Sequence, residues 1–407
     1  MKLVRRRTDC RACGKRNLVQ ILDLGKTPPA NAFLKKPQKQ ALYPLQVNWC
    51  KNCNMVQLAH VVDPKLLFEN YVYASSTSPV FVRHFKDLAK KITKQLRLKR
   101  NSLIVDIGSN DGILLKPFQR RGMQVLGIEP ARNIAKRANK DGIPTVADFF
   151  SVKLAKKVVA KFGQTDLVTA TNVFAHIDDL DGIVEGVKLL LKPRGVFLVE
   201  VAYLGDLVSK NLFDIVYHEH LCYWAVRPMK ILAERLGMRV FDVEHVLTHG
   251  GSIRMMMKFK RAKRPVTNSV GNFVFREKRL GLNKLTPYRA LARRIEKNKM
   301  ALNKLLTKLK QQGKTIIGFG APAKATTLLN YFGIGKKTLD FIVDDSPYKQ
   351  GLLTPGKHIS VLATKAMYEI KPDYVLILAW NFADSIIKAH KDFGGRFIIP
   401  VPKLEVV

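Results

Sequence analysis

The sequence contains no long uninterrupted apolar segment. Hydrophobic residues make up 47% of the chain, yet no stretch approaches the roughly 18 apolar residues that a membrane-spanning helix needs. The first ten residues hold four cationic side chains and no apolar segment of the kind found in secretion signals. These absences predict a soluble protein of the cytoplasm that does not enter a membrane.

Cysteine is scarce, with five residues in a chain of 407. Four of them form two C-x-x-C pairs, Cys10 with Cys13 and Cys50 with Cys53. Because this spacing directs two sulfurs at one tetrahedral ion, the pairs predict a closed structural Zn²⁺ site in an unsecreted protein. A redox pair and reduced core cysteines are the alternatives. The fifth, Cys222, is expected to be a packed thiol.

Acidic residues are few: 32 Asp and Glu stand against 70 Lys and Arg, which gives a formal net charge of +38. Such a charge attracts polyanions, so nucleic acid is a candidate partner. However, the sequence has no RNP-type aromatic motif, no helix-turn-helix signature and no basic heptad segment. The surplus charge is also spread over several helical stretches, which favours a lysine-rich solvated surface.

A glycine-rich loop follows the short buried-strand pattern Leu103–Val105. It begins at Asp106 and places Gly108, Asn110 and Gly112 where the backbone must turn tightly beside a ligand. It is neither a G-x-G-x-x-G loop nor a phosphate loop of the G-x-x-x-x-G-K-[ST] type. It resembles motif I of the Rossmann-like S-adenosylmethionine methyltransferases, with asparagine where many members have glycine. The alternative is another doubly wound domain with a glycine-rich turn.

Strands and helices alternate after this loop, which predicts βαβ units with a parallel sheet, and the chain length predicts two or three domains. Ligands of such sheets lie at the carboxyl ends of the strands. The strand ends nominate Asp106, Glu129, Asp148 and Asn172 for one site. Glu129 can accept hydrogen bonds from both hydroxyls of a ribose. Asp148, which precedes two phenylalanines, can bond an adenine amino group, although strand-end aspartates are also common caps.

The segment from Tyr217 to Trp224 is the densest cluster of titratable and aromatic groups in the sequence. If extended, it directs Tyr217 and Glu219 to one side and His218 and His220 to the other. The two histidines can chelate a metal, although the spacing identifies no third ligand. They can also be satisfied core residues. The favoured interpretation is a general base oriented by the neighbouring carboxylate.

A second strand, glycine turn and helix open at Lys314, and the turn there is a candidate anion site next to a helix amino terminus. Two glycine-loop units predict two ligands that carry ribose or phosphate. Upstream, Arg254 follows a glycine turn and suits a phosphate or carboxylate, or is an exposed residue of a hairpin. The predicted substrate-binding residues are Arg254, Gly318, Gly320, Ala321, Lys324, Asn330, Asp344 and Trp380.

Two further segments have predicted structures but ambiguous roles. The polar and aromatic passage Phe68–Pro79 precedes an amphipathic helix near Val80–Leu96 and is a linker or a lid. Residues 268–312 are strongly charged and have a helical pattern, which predicts a connecting helix or helical pair.

Taken together, these motifs resemble the sugar C-methyltransferases of deoxysugar pathways along almost the whole chain. Tyr217-His218-Glu219-His220 is the most specific of them. The others are the paired cysteines, the Asp106 loop, His176-Ile177-Asp178-Asp179, His249-Gly250-Gly251-Ser252, Gly318-Phe319-Gly320-Ala321 and Leu378-Ala379-Trp380-Asn381-Phe382. The resemblance implies transfer of a methyl group from S-adenosylmethionine to a carbon, C-3 in the best-known members, of a nucleoside-diphosphate 4-keto-deoxysugar, typically linked to dTDP.

The resemblance also implies a domain order and a set of active-site residues. A zinc module at 1–70 is expected to cover one mouth of a methyltransferase domain at 71–246. A connecting strand and charged helices follow at 247–313, and a Rossmann-like domain at 314–407 helps hold the nucleotide sugar. The implied active-site residues are Tyr71, His176, Tyr217, Glu219 and His220.

Within this set, His220 is expected to be the base, oriented by Glu219, and His176 is the rival base. Tyr217 or Tyr71 would donate a hydrogen bond to the enolate oxygen. Methylation of nucleic acid and binding without catalysis are the competing function classes. The sequence lacks the N/D-P-P-Y/W motif of many amino-methylating enzymes, and it carries no signal of oligomeric state.

Overall fold

A computed structural model of the protein describes residues 3–68 and 75–407. The predicted active-site residue Tyr71 lies outside these residues. Across the described part of the chain, no helix combines the length and apolarity needed to cross a bilayer. A location in the cytoplasm stays a prediction.

The amino-terminal region is a small antiparallel module. Tyr43–Cys50 forms a strand, which pairs with a strand on each side. The outer neighbour on one side is Cys222–Tyr223, which comes from the middle of the chain. The module is therefore joined to the next region by a shared sheet. Its elements are β1 (Val4–Arg6), β2 (Leu18–Thr27), β3 (Tyr43–Cys50), β4 (Val56–Leu58), β5 (His60–Val62) and α1 (Pro64–Phe68).

The central region contains the predicted parallel sheet. Short 3-10 helices lie at Ser75–Thr77, Phe174–His176 and Phe213–Ile215. The helices are α2 (Pro79–Leu96), α3 (Leu115–Gln119), α4 (Arg132–Lys140), α5 (Val152–Phe162), α6 (Leu180–Leu190), α7 (Leu204–Ser209) and α8 (Val226–Arg235). The strands are β6 (Leu103–Ile107), β7 (Gln124–Ile128), β8 (Thr145–Val146), β9 (Thr165–Thr171), β10 (Leu191–Ala202), β11 (Cys222–Tyr223), β12 (Met238–Val246) and β13 (Ser252–Phe259).

Seven of these strands form one sheet in the order β12-β13-β10-β9-β6-β7-β8. Strands β6 to β10 are parallel and largely buried, as expected for a sheet covered on both faces, whereas β13 runs antiparallel to β10 and to β12. Because β6 pairs with β7 on one side and β9 on the other, a crevice opens at their carboxyl ends. The sequence had placed β13 in the connecting segment 247–313, but it completes this sheet.

The connecting segment contains the predicted helical pair, α9 (Asn268–Arg279) and α10 (Thr286–Gln311). In α10, buried residues recur every three or four positions, from Tyr288 through Ile295 to Leu309. This apolar stripe packs the helix against the body of the protein, and the ring of Tyr288 lies 5.9 Å from that of Trp49 in the amino-terminal module. The charged face of α10 is exposed to solvent.

The carboxy-terminal region has a second sheet in the order β16-β15-β14-β17-β18-β19, parallel except for β19. Strand β14 lies between β15 and β17, so this unit also has a crevice at the carboxyl end of its first strand. Its strands are β14 (Ile316–Phe319), β15 (Ile342–Val343), β16 (Val361–Leu362), β17 (Tyr374–Ile377), β18 (Arg396–Ile399) and β19 (Glu405–Val406). Its helices are α11 (Ala323–Phe332), α12 (Lys365–Ile370) and α13 (Ala383–Ala389). The predicted α/β architecture of two Rossmann-like units is confirmed.

Candidate active site

All three regions contribute to one cavity of about 1100 Å³. Asn31 and Phe68 line it from the amino-terminal module, Gly108 from the central glycine loop, His220 from the predicted catalytic segment and Lys324 from the carboxy-terminal unit. The amino-terminal module therefore forms part of the cavity wall. Both glycine-loop units face the same space.

The central glycine loop requires left-handed backbone angles at three positions, with φ of 68° at Gly108, 49° at Asn110 and 77° at Gly112. A Cβ atom on Gly108 would lie 2.6 Å from Val173, and one on Gly112 would lie 2.9 Å from Ile143. Asparagine adopts this conformation more readily than most residues, which explains why Asn110 can replace a glycine. The loop backbone can therefore lie directly against a ligand.

Glu129 holds this loop in place. Its Oε2 accepts a hydrogen bond from the backbone N–H of Asn110, and its Oε1 accepts one from Ala131, both at 2.9 Å. Burial raises the pKa of Glu129, and the two amide donors oppose that rise. Each carboxylate oxygen has a further lone pair, and the side chain lines the cavity, so Glu129 can accept bonds from a diol.

Asp106 lies at the carboxyl end of β6 and lines the same part of the cavity. Its Oδ1 accepts a hydrogen bond of 2.6 Å from the hydroxyl of Thr169. Burial raises the pKa of Asp106 to about 7, and the Glu129 charge adds to this rise. Asn172, with φ of 58°, also lines the cavity.

Asp148 is placed differently from these residues. Its side chain is exposed, its Oδ1 accepts a hydrogen bond from the backbone N–H of Phe149, and it is not part of the cavity wall. Phe149 and Phe150 do line the cavity. The two aromatic side chains therefore border the cavity, whereas Asp148 does not.

The Tyr217–His220 segment is a turn, so the division of faces that holds for an extended segment does not apply to it. The N–H of His220 donates to the carbonyl of Tyr217 at 2.9 Å, which brings the two rings to 4.0 Å on the same side. His218 is buried, its Nε2 lies 3.2 Å from the carbonyl of Tyr43, and burial lowers its pKa to about 4. Buried Glu219 accepts a hydrogen bond of 2.7 Å from Asn31 and does not line the cavity.

His176, Tyr217 and His220 form an aromatic group on the cavity wall. The ring of His176 lies 5.0 Å from that of His220 and stacks on Phe68 at 5.6 Å. His220 Nδ1 lies 2.7 Å from the carbonyl oxygen of Ile215. Because a carbonyl only accepts, Nδ1 carries the proton, and the basic lone pair of the neutral ring is at Nε2. This main-chain carbonyl holds the ring at Nδ1, and the role of Glu219 toward His220 stays a prediction.

In the carboxy-terminal unit, glycine again permits close packing. Gly320 has φ of 84°, and a Cβ on it would lie 2.6 Å from Ala379. A Cβ on Gly318 would lie 2.8 Å from Ile342. The N–H of Ala321 donates to Asp344 at 2.7 Å, so this amide is already used within the unit.

Lys324 follows this turn, in the first turn of α11, and lines the cavity. Its ammonium lies 3.8 Å from the centre of the Trp380 ring and donates a hydrogen bond to Asn381. Burial lowers its pKa to about 8, and the nearby Asp214 opposes that change. Lys324 therefore presents a cation beside a helix amino terminus, an arrangement suited to a phosphate.

Of the eight predicted substrate-binding residues, only Lys324 lines the cavity; the others are Arg254, Gly318, Gly320, Ala321, Asn330, Asp344 and Trp380. Arg254 is buried in the central sheet, where it donates to Glu200 and Glu244, each at 2.7 Å. Its guanidinium is neutralised there, so it stabilises the sheet and presents no charge to a phosphate. The Asn330 side chain donates to two carbonyls of its own unit. The ring of Trp380 packs against the ammonium of Lys324.

The four paired cysteines come together in the amino-terminal module. All four sulfurs lie within 4.8 Å of one another, with Cys10 and Cys53 at 3.4 Å and Cys13 and Cys50 at 3.7 Å. A tetrahedral Zn²⁺ with bonds of about 2.3 Å requires sulfurs about 3.8 Å apart, so the cluster fits this ion. Within residues 3–68 and 75–407, it is the only group of three or more His, Cys, Asp or Glu side chains close enough to share a metal.

Two groups near the cavity were missed from sequence. Asn31 follows a Pro-Pro-Ala turn and carries no motif, yet it lines the cavity and holds Glu219. Ser76 donates both its N–H and its hydroxyl to Asp111, which fixes the start of α2 to the central glycine loop. These contacts join residues far apart in the chain, so no spacing rule could have revealed them.

Three domain families match the chain. One is described as zinc-binding and covers residues 10–68. The second is a methyltransferase domain over residues 81–243, and the third is a C-methyltransferase C-terminal domain over residues 247–402. Together with the sulfur geometry, the first match confirms the predicted Zn²⁺ site.

Relatives of known activity agree with these families. The C-methyltransferase NovU of Streptomyces niveus is 34% identical over 411 aligned positions, which cover 100% of this chain and 98% of NovU. The ubiquinone biosynthesis O-methyltransferase of Rhodopseudomonas palustris (strain TIE-1) is 29% identical over 156 positions, which cover 37% of this chain and 60% of that protein. Among solved structures, the PH0226 protein of Pyrococcus horikoshii OT3 is 15% identical, with a TM-score of 0.38 over 46% of this chain and 95% of that one.

The full-length similarity to NovU and the matching domain families confirm the predicted activity at the level of the reaction. The protein is an enzyme that uses S-adenosylmethionine to methylate carbon. It belongs to the sugar C-methyltransferase family.

Proposed function

We propose that the enzyme methylates C-3 of a dTDP-linked 4-keto-deoxysugar. The observation that carries this proposal is the single cavity shared by two glycine-loop units, with His176, Tyr217 and His220 in its wall. A methyl donor and a second ligand bearing a phosphate can therefore meet beside one base. A non-catalytic binding protein does not need such a group between its two ligands.

The donor would lie against the central glycine loop. Gly108 and Gly112 let the backbone approach it, Glu129 would accept hydrogen bonds from the ribose hydroxyls, and Phe149 would stack on the adenine. S-adenosylmethionine supplies an electrophilic methyl group. The role of the protein is to place that group against the acceptor carbon.

The acceptor would extend from the carboxy-terminal unit into the same cavity. Lys324 and the amino terminus of α11 would bind the diphosphate, and Lys349 and Asn381 also line that end. The sugar would then reach the histidine group. A nucleoside diphosphate fits this arrangement because its two charged groups lie between the base and the sugar.

In the proposed reaction, His220 Nε2 takes the C-3 proton, and the electron pair of the C–H bond moves toward the C-4 carbonyl to form an enolate. Tyr217 donates a hydrogen bond to the enolate oxygen, which disperses the negative charge. The same electron pair would then form the new C–CH₃ bond as the S–CH₃ bond of the donor breaks, with the electrons of that bond left on sulfur in the released S-adenosylhomocysteine. His176, in ring contact with His220, is the rival base.

Deuterium exchange tests this proposal. The enzyme is incubated in D₂O with dTDP-4-keto-2,6-dideoxyhexoses, with and without S-adenosylmethionine, and product mass is followed. We expect deuterium uptake next to the ketone, and one added methyl group when the donor is present. His220→Asn should slow both by about a hundredfold or more, with binding of S-adenosylhomocysteine unchanged.

His245→Asn is the matched control, because His245 bonds Asp206 and does not line the cavity. If His220→Asn keeps its rate and His176→Asn loses it, His176 is the base. If no sugar exchanges although S-adenosylhomocysteine binds, the proposed substrate class is wrong.

A further inference from the structure

A short turn joins the carboxy-terminal unit to the candidate base. It consists of the 3-10 helix Phe213–Ile215 and of Val216, and it directly precedes Tyr217. Each of its residues contacts a different partner. The turn therefore contacts both the carboxy-terminal unit and the segment that carries the candidate base.

Asp214 provides the first contact. It is fully buried, and its Oδ2 accepts a hydrogen bond from the indole N–H of Trp380. The face of the same indole ring lies against the ammonium of Lys324. Burial raises the pKa of Asp214, and the charge of Lys324 opposes that rise. One aromatic ring thus links Asp214 to the proposed diphosphate site.

The second oxygen of Asp214, Oδ1, has no hydrogen-bond partner among the described residues. Burying a carboxylate costs stability, and the indole N–H of Trp380 and the nearby charge of Lys324 offset part of that cost. Asp214 is therefore a buried charged group whose partners belong to the proposed diphosphate site.

Helix α11 provides the second contact. The hydroxyl of Thr327 donates to the carbonyl of Val216 at 2.7 Å, and the ring of Phe213 stacks on Phe332 at 5.1 Å. Both partners belong to the helix whose amino terminus faces the cavity. The turn is consequently fixed to α11 at both ends, with Asp214 between them.

The carbonyl of Ile215, between Asp214 and Val216, is the group that accepts the Nδ1–H of His220. We propose that Asp214 is a positioning residue that acts through this carbonyl: it holds the turn to Trp380 and so couples occupation of the Lys324 site to the orientation of His220. This inference rests on the proposed function, in which His220 is the base. Its consequence is that the base becomes competent only when the nucleotide part of the substrate is in place.

Two variants and one control test the coupling. Asp214→Asn removes the charge and Trp380→Phe removes the donor, whereas Asp206→Asn alters another buried carboxylate, which bonds His245 outside the cavity. Rates of deuterium exchange are measured with dTDP-4-keto-2,6-dideoxyhexose, and affinities with dTDP and S-adenosylhomocysteine. Nitrogen NMR of ¹⁵N-histidine-labelled protein reports the tautomer of His220.

We expect each of the two variants to slow exchange about tenfold or more, with S-adenosylhomocysteine binding unchanged and the Nδ1–H signal of His220 lost. The double variant should exchange no more slowly than the slower single variant, because both changes affect the same hydrogen bond between Trp380 and Asp214. Asp206→Asn should exchange at the wild-type rate with an unchanged histidine spectrum.

Wild-type exchange in Asp214→Asn and Trp380→Phe, with exchange lost in His220→Asn, would overturn the coupling and leave the proposed function intact. Additive losses in the double variant with an unchanged His220 signal would also overturn it. Full exchange in His220→Asn would instead refute the proposed base, whatever the other variants do.

Discussion

The two glycine-loop units share one hydrogen-bond arrangement but differ in what they present to the cavity. In each, an acidic residue after the second strand accepts one hydrogen bond from a backbone N–H of the glycine turn and one from the N–H two residues after the acid itself. Glu129 accepts from Asn110 and Ala131, and Asp344 accepts from Ala321 and Ser346. Glu129, however, faces the cavity, whereas Asp344 does not.

The charge around the two acids also differs. Asp344 is paired with Lys349, at 3.4 Å, and its unit presents two cations, Lys324 and Lys349, to the cavity. The central unit presents the Glu129 carboxylate, and no basic side chain of residues 3–68 and 75–407 forms a salt bridge with it. The same topology therefore gives a site suited to hydroxyl groups in one unit and a site suited to phosphate in the other.

Removal of zinc is expected to have the largest effect and to leave both units intact. Without the ion the four thiolates repel one another and the amino-terminal module loses its fold, so Asn31 no longer holds Glu219 and Phe68 no longer packs on His176. Methyl transfer should be abolished in a Cys50→Ser, Cys53→Ser variant. Calorimetry should still detect binding of both S-adenosylhomocysteine and dTDP.

Cys222→Ser is the control, because this thiol lies outside the four-sulfur cluster and the variant should keep its zinc. Full activity in the zinc-free protein would show that the module is dispensable for the active site.

Replacing Glu129 and Asp344 by the corresponding amides should affect the two ligands differently. Glu129→Gln should weaken S-adenosylhomocysteine binding about tenfold or more, because it loses both a charged acceptor for the ribose and one bond to the loop. dTDP binding should not change. Asp344→Asn should leave S-adenosylhomocysteine binding unchanged and lower the melting temperature. Equal losses for both ligands in either variant would mean that the two sites are not separate.

The smallest predicted effect concerns pH. The pKa of Lys324 is lowered by burial to about 8, so its ammonium is charged below that pH and loses its proton above it. dTDP affinity should be constant at lower pH and fall as pH rises through about 8, whereas S-adenosylhomocysteine affinity should not follow this curve. In Lys324→Met, dTDP should bind about tenfold more weakly at pH 7, and the fall near pH 8 should disappear.

Features that rest on neighbouring residues could be predicted from the sequence. The glycine loop at Gly108, the two C-x-x-C pairs and the alternating strands and helices each depend on local backbone geometry or on fixed spacing. The long helical segment after residue 268 was predicted for the same reason, because its apolar positions recur with the helical period.

Two differences from what the sequence indicated have a common cause. The faces of Tyr217–His220 were assigned only for an extended segment, whereas the segment is a turn, and its neighbours β11 and Phe213 pack on the amino-terminal module and on α11. Arg254 was expected to bind a phosphate, yet its carboxylate partners lie on neighbouring strands of the sheet. In both cases, partners distant in the chain decide where a side chain lies.

The sequence by itself thus determined the chemical repertoire: a four-thiolate metal site, two glycine turns with acidic strand ends, and a histidine-rich segment. Only the tertiary structure decided how these parts combine. It placed the central glycine loop and Lys324 of the carboxy-terminal unit on one cavity, turned His220 toward Tyr217 and buried Glu219 against Asn31. The physical reason is that local periodicity fixes which elements form, whereas the packing of distant elements fixes which side chains share a space.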